Sequence, residues 1–247
     1  MPFRRFADHL KAQQWLAAVI DLLIVIVGVF IGIEAANWNT RRHDRQEERR
    51  YYGQIIVDLD SDLKALGDAR RFARANDLAG EFVLASLTDD AVARRHPGRF
   101  ATSIVYAGYL YFPHPSRQTY DELVSTGNLG LLRDDDLKRA ISQYYALADA
   151  TRQWDALVRQ QQAEYMSQIA GLLPRSALRA VRGRREPTLT PAEITGILAK
   201  ARARPALLDQ LTAMAGHQEW IRHDSEMIAR ETKKLQRRLR QHLKEMG

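Results

Sequence analysis

The sequence predicts an all-α protein in which one N-terminal transmembrane helix continues into an antiparallel bundle of long helices. Three observations carry this. An apolar run long enough to cross a bilayer lies between Trp15 and Trp38. Beyond it, apolar residues recur at spacings of three and four through three long stretches. Gly (14) and Pro (8) are few in 247 residues and concentrate between stretches rich in the helix formers Ala, Leu, Arg, Gln and Glu. The chain divides into a tail over 1–14, a span over 15–38 and a bundle domain over 39–247. The bundle holds an irregular connector at 88–118 and an Arg-rich linker at 174–190.

The span is the firmest element. Every residue from Leu16 to Ile33 except Asp21 is apolar or Gly, and about 20 such residues cross a hydrocarbon core of roughly 30 Å. Trp15 and Trp38 stand about 34 Å apart on a helix, matching the two interfaces where aromatic belts sit. Thirteen Leu, Ile, Val and Phe residues lie between them. Each favours insertion by roughly 0.3–0.6 kcal/mol, and together they outweigh the roughly 2.5–3.5 kcal/mol of a central Asp; Asp21 lies near one edge, where the cost is smaller. A cleavable signal fits poorly, because Glu34 would occupy the third position before a cut after Ala36.

Asp21 has a further reading. On a helix, Ala17, Asp21, Gly28 and Gly32 fall within about 40° of one meridian. Gly28 and Gly32 form a small-xxx-small pair that permits close approach of a second helix. An Asp on that stripe then faces a partner instead of lipid. The expected partners are the lipid bilayer, a second copy of the chain through this helix, and a protein that the sequence does not name.

The stretches "IDLLIVIVGVFIGIEAANWNTRR" and "RRYYGQIIVDLDSDL", followed by "TYDELVSTGNLGLLRDDDLKRAISQYY" at 119–145, resemble a family of uncharacterised single-span bacterial membrane proteins. In that family the span opens on Gly-Glu, runs apolar around a Gly and closes on Asn-Trp-Asn. Here Ile20 and Asp21 stand at the Gly-Glu positions. The resemblance covers residues 19–63 and 119–145. It implies membrane anchoring and a helical domain, with no activity to carry over.

The elements of the bundle follow in order. Tyr52, Ile56, Leu59, Leu63 and Leu66 form one apolar stripe on a charged helix that runs to about Leu87. Residues 96–118, with Pro97, Pro113 and Pro115, read as the irregular connector. Thr119 and Glu122 spell a capping box opening a short helix, and Gly127-Asn128 ends it with a left-handed cap. Asp134 to Asp136 open a long helix with a cap and an acidic first turn. Its seam runs from Leu137 through Ile141, Tyr144, Ala148, Val158, Tyr165 and Ile169 to Leu172, ending before Pro174. Thr190 and Pro191 open a short helix. From Pro205 to Lys244 a last helix carries Leu207, Leu211, Met214, Ile221, Ile228, Leu235 and Leu239. If 134–173 is the antiparallel partner of the first helix, the linker arginines Arg175, Arg179, Arg182, Arg184 and Arg185 return to the membrane surface, where anionic lipid attracts them.

Little in the chain points to chemistry. There is no cysteine, so disulfides, Cys-based zinc sites and thiol nucleophiles are excluded. Glu219 and His223 share a helix face, but zinc needs three or four ligands and no second pair accompanies them. No phosphate loop, nucleophile elbow or kinase signature occurs. Ser125 to Asn128 read as helix termination, and Asp58, Asp60 and Asp62 as solvated surface. The net charge of +7 suits anionic surfaces; nucleic acid is disfavoured because aromatic interleaving and a known motif are missing. No catalytic, cofactor or metal residues are assigned. The sequence therefore points to a membrane-anchored interaction, sensor or scaffold module that self-associates. The alternative is a membrane-tethered enzyme with a site near 106–128. The expected location is the bacterial inner membrane. Basic residues nearly balance across the span, and the resemblance favours a periplasmic bundle.

Overall fold

The computed structural model describes the backbone of residues 3–246 and the side chains of residues 19, 20 and 22–246. The protein is all-α: among the described residues no strand occurs. Helix α1 runs from Phe3 to Thr88, and the chain divides into two compact units at Tyr51/Tyr52.

The first unit is helical. Its residues 22–42 are exposed throughout, Leu22 to Ile33 included. Among the described residues one helix is long and apolar enough to cross a membrane, with a mean hydropathy of 1.8 in its most apolar stretch.

The second unit, from Tyr52, holds the remainder of α1 and every later element. These are α2 (Asp90–Arg95), α3 (Pro97–Tyr106), α4 (Gln118–Ser125), a 3-10 turn (Asn128–Leu131), α5 (Asp135–Arg152), α6 (Asp155–Ile169), α7 (Arg175–Arg182), α8 (Pro191–Arg202) and α9 (Pro205–Glu245). The seam read from the last helix is the spine of this unit. All seven of its residues are at most 4% exposed, and each such burial stabilises by about 1.5–3 kcal/mol. The main core joins Ala69, Ala73 and Val83 of α1 to Phe100 and Ile104 of α3, Tyr165 of α6, Ile197 of α8 and Leu211 of α9.

Direction follows from the pairings. Asp60 meets Gln236 and Arg240, Leu66 packs with Ile228, and Asp77 faces Arg222, so α9 is antiparallel to this part of α1. At the Tyr52 end, His242 touches the Tyr52 ring and pairs with Asp134, where α5 begins. At the Thr88 end, Arg202 donates to the Leu87 carbonyl at 2.9 Å and Arg204 donates to Ala170 beyond α6. Helices α5 and α6 therefore run in the direction of α1, both antiparallel to α9.

This corrects the expected position of the Arg-rich linker. The return toward Tyr52 is made by the connector, not by 134–173. Asn76 donates to the Tyr109 carbonyl at 2.7 Å, and the Ser116 N–H donates to Asp62 at 2.8 Å. Fourteen helical residues from Asp62 to Asn76 rise about 21 Å, and seven extended residues cover about 23 Å, so the stretch lies along α1 antiparallel to it. Residues 175–185 consequently lie at the Thr88 end, with α7 packed on α3 and Glu186 against Gly98.

Four boundaries also differ from the sequence reading. The connector is irregular only over 107–117. Before that, Asp89 caps α2 by accepting from the Ala91 N–H, and Pro97 starts α3. Thr119 does not cap α4: it is buried inside the first turn, and Arg117 holds the cap position. The stretch after Asp134 is two helices, broken where Trp154 packs on Trp220 and Asp155 pairs with His114. The linker itself is helical over Arg175–Arg182, with Ala177 and Val181 buried. Asp134, Thr190 and Gly127 act as read: Asp134 accepts from the Leu137 N–H, Thr190 forms a full capping box with Glu193, and Gly127 takes φ 72°.

Candidate functional site

On α1, Ala17, Asp21 and Trp15 lie outside the residues whose side chains are described. Gly28 and Gly32 stand one turn apart, and a Cβ added to either would meet no atom within 4 Å. Trp38 is exposed, with the Arg42 guanidinium 5.6 Å from its ring centre, and Glu34 pairs with Arg41.

In the second unit the most distinctive constellation centres on Asp62, which the sequence reading placed on the solvated surface. It is 4% exposed. Its carboxylate accepts the Ser116 N–H at 2.8 Å and the Tyr144 hydroxyl at 3.0 Å. The Thr232 hydroxyl lies 3.3 Å from the Tyr144 oxygen and 2.8 Å from the Ile228 carbonyl. One carboxylate thus ties α1, the extended connector, α5 and α9. Among the described residues no Lys or Arg pairs with it. Burial is the chief cause that raises its pKa from 3.8 to about 6; the two hydrogen bonds oppose the rise and the charge of Asp58 adds to it. Burial also pushes the Tyr144 and Tyr145 phenols well above their usual value. Asp58 Oδ2, Gln54 Oε1 and the Tyr145 hydroxyl are buried, with no hydrogen-bond partner among the described residues.

The signal for Asp62 was present in the sequence. It lies three residues after Leu59 and four before Leu66, both on the buried stripe, so the helix carries it inward. Asp60, by contrast, is exposed and pairs with Arg240 at 3.2 Å.

Arg117 closes the outer side of the cluster. It pairs with Asp121 at 2.8 Å and with Asp149, and its guanidinium lies 5.3 Å from the Tyr120 ring, itself stacked on Tyr145. The segments 52–63 and 119–145, which carry part of the resemblance noted above, meet at this cluster through Asp62, Tyr144 and Tyr145.

Several residues of the 106–128 stretch, named above as the alternative place for a site, have structural partners. The Tyr109 carbonyl accepts from buried Asn76 and Gln218 together. Gly108 lies under Tyr165, whose hydroxyl donates to the Ile104 carbonyl at 2.8 Å; a Cβ at Gly108 would come within 1.8 Å of that ring. Ser125 and Thr126 bond to the Glu122 carbonyl and end α4. Nearby, Trp154, Leu157, Val158, His217 and Trp220 line an apolar cleft of about 230 Å³. Burial there pushes the His217 pKa down.

Arg175, Arg179, Arg182, Arg184 and Arg185 are all exposed. The headgroup contact expected of them rested on their lying at the Tyr52 end, which is where they are not. Glu219 and His223 do share one face, but with arginines beside them in the same groove. Among the described residues no three metal-ligating side chains converge.

Comparison with protein families, curated proteins and solved structures finds no match.

Proposed function

We propose that this protein is a membrane-anchored helical module that acts by association: an interaction, sensor or scaffold protein without catalytic machinery of its own. The observation that carries the reading is the exposed apolar stretch of α1, continuous in the same helix with the charged segment that enters the second unit. Such a surface is stable only when lipid or another helix covers it. The filled seams of the second unit fit a scaffold. The resemblance to single-span bacterial membrane proteins supports an inner-membrane location with the second unit in the periplasm.

Self-association through Ala17, Asp21, Gly28 and Gly32 belongs to the same proposal, supported by the open flank of both glycines. Two measurements test it together. Fusions at the C-terminus should give periplasmic phosphatase activity and no cytoplasmic fluorescence; the reverse pattern inverts the topology. In a membrane two-hybrid assay, Gly28→Ile or Gly32→Ile should weaken pairing by about 1 kcal/mol or more. Unchanged signal for both, and for Asp21→Leu, removes the association reading.

A further inference from the structure

Between α1 and α9, midway along the second unit, runs a groove of about 560 Å³ lined by Arg70, Arg71 and Arg74 on one wall and Arg222, His223, Glu219 and Glu226 on the other. Each wall is one helix stripe at spacings of three and four. Gly67 keeps the floor open, since a Cβ there would touch only the end of Arg71.

The charges do not neutralise one another across the gap. Arg71 turns outward to pair with Asp68, and Glu226 is held by Arg230. Arg222 reaches Asp77 only at 4.0 Å. Among the described residues, Arg70 and Arg74 have no carboxylate partner. Moreover, Arg70 Nε and Arg222 Nε, one from each wall, are buried from solvent without an acceptor. A buried charged donor left unsatisfied is expensive, and like-charged guanidinium groups in one groove raise the local positive potential. An oxyanion in the groove lowers that potential and gives the outer guanidinium N–H groups an acceptor.

We propose that this groove binds a phosphate-bearing ligand, held by Arg70, Arg74 and Arg222. Guanidinium forks match phosphate oxygens two at a time, and donors from both walls suit a group with several charged oxygens better than a single carboxylate does. Glu219, exposed on the α9 wall, accepts hydrogen bonds from hydroxyl or amine groups on the rest of the ligand. The phosphoryl group can belong to a soluble molecule or to a lipid headgroup. The site stands apart from the association reading above, because its affinity is measured whatever the oligomeric state.

The test is calorimetric titration of the full chain, in a phosphate-free non-ionic detergent, with inorganic pyrophosphate. Saturable binding at one site per chain is expected, weakening as salt rises and falling at least about tenfold in Arg74→Gln and in Arg222→Gln. Arg74→Lys should recover part of it. Arg237→Gln, exposed on α9 outside the groove, should leave it unchanged. Thermal melts of each variant in the same detergent separate lost binding from lost folding. Repeating the titration in nanodiscs distinguishes the sources: competition by anionic lipid assigns a headgroup, and undiminished binding assigns a soluble ligand. No saturable binding at millimolar pyrophosphate, or an equal loss in Arg237→Gln, overturns the proposal.

Discussion

Asp62 receives two hydrogen bonds and faces a second carboxylate, Asp58, one turn away, with burial opposing its charge. Its folded pKa of about 6 lies above the ordinary 3.8, so between those values the folded chain holds a proton that the unfolded chain has released. Stability from this group is therefore full below about pH 4 and is lost as pH rises through 6. The loss by neutral pH is on the order of 3 kcal/mol. Asp62→Asn cannot ionise, so the difference in unfolding free energy between wild type and variant should shift toward the variant by about that amount from pH 4 to 7.5. Urea unfolding across this range checks it; a pH-independent difference sinks the assignment. Gly108 gives a second residue-scale prediction. With Tyr165 wedged against it and fixed by its bond to Ile104, Gly108→Ala must displace the ring and destabilise by about 1–3 kcal/mol or more. Gly127→Ala strains only a left-handed cap, so its cost, near 1 kcal/mol, should be the smaller. The pair of melts orders close packing against backbone conformation.

Among the elements, what could be read from the sequence was whatever rests on local chemistry. Asp134 caps a helix because its side chain reaches an N–H three residues on, and Thr190 with Glu193 does so reciprocally. The α9 seam was legible because one face of a 41-residue helix is buried along its length. What periodicity could not show was the break at Trp154, since the same seam continues into α6 and only contacts with Trp220 and His114 turn the chain. Nor could it show that an extended segment makes the return crossing. That path depends on Asn76, Gln218 and Asp62 satisfying backbone groups from other elements. Thr119 looked like a cap by spelling and is a core residue by position. The Thr190 box, being local, yields a prediction: Thr190→Ala should cost about 0.5–2 kcal/mol, seen as a lower thermal midpoint, and Glu193→Gln less. An unchanged midpoint for Thr190→Ala would show that α8 is held by Ile194, Ile197 and Leu198 alone.

At the scale of the whole molecule, the sequence reading divides the chain at 38/39, where the apolar run ends, whereas the compact units divide at Tyr51/Tyr52, so the charged stretch 39–51 goes with the first unit. Residues 22–33 carry apolar side chains on every face, whereas the long helices of the second unit carry them on one stripe. The groove arginines escaped that reading because Arg70 and Arg74 belong to α1 and Arg222 to α9; only the fold sets them on facing walls. The division also predicts how the chain partitions. Thirteen Leu, Ile, Val and Phe residues between the tryptophans contribute about −4 to −8 kcal/mol to insertion, against at most about 3.5 for Asp21. Full-length protein should therefore stay with membranes through carbonate and high-salt washing, and mass spectrometry should find the first 40 residues intact. A mature N-terminus near residue 36 or 37 would show a cleaved signal instead. Two central arginines, Ile26→Arg with Val27→Arg, remove two apolar contributions and add about 5–7 kcal/mol, which cancels most or all of the insertion energy. That double variant should leave the membrane fraction while the second unit keeps its helical signal. Retention of the double variant would mean that partner contacts, and not hydropathy, hold the helix in place.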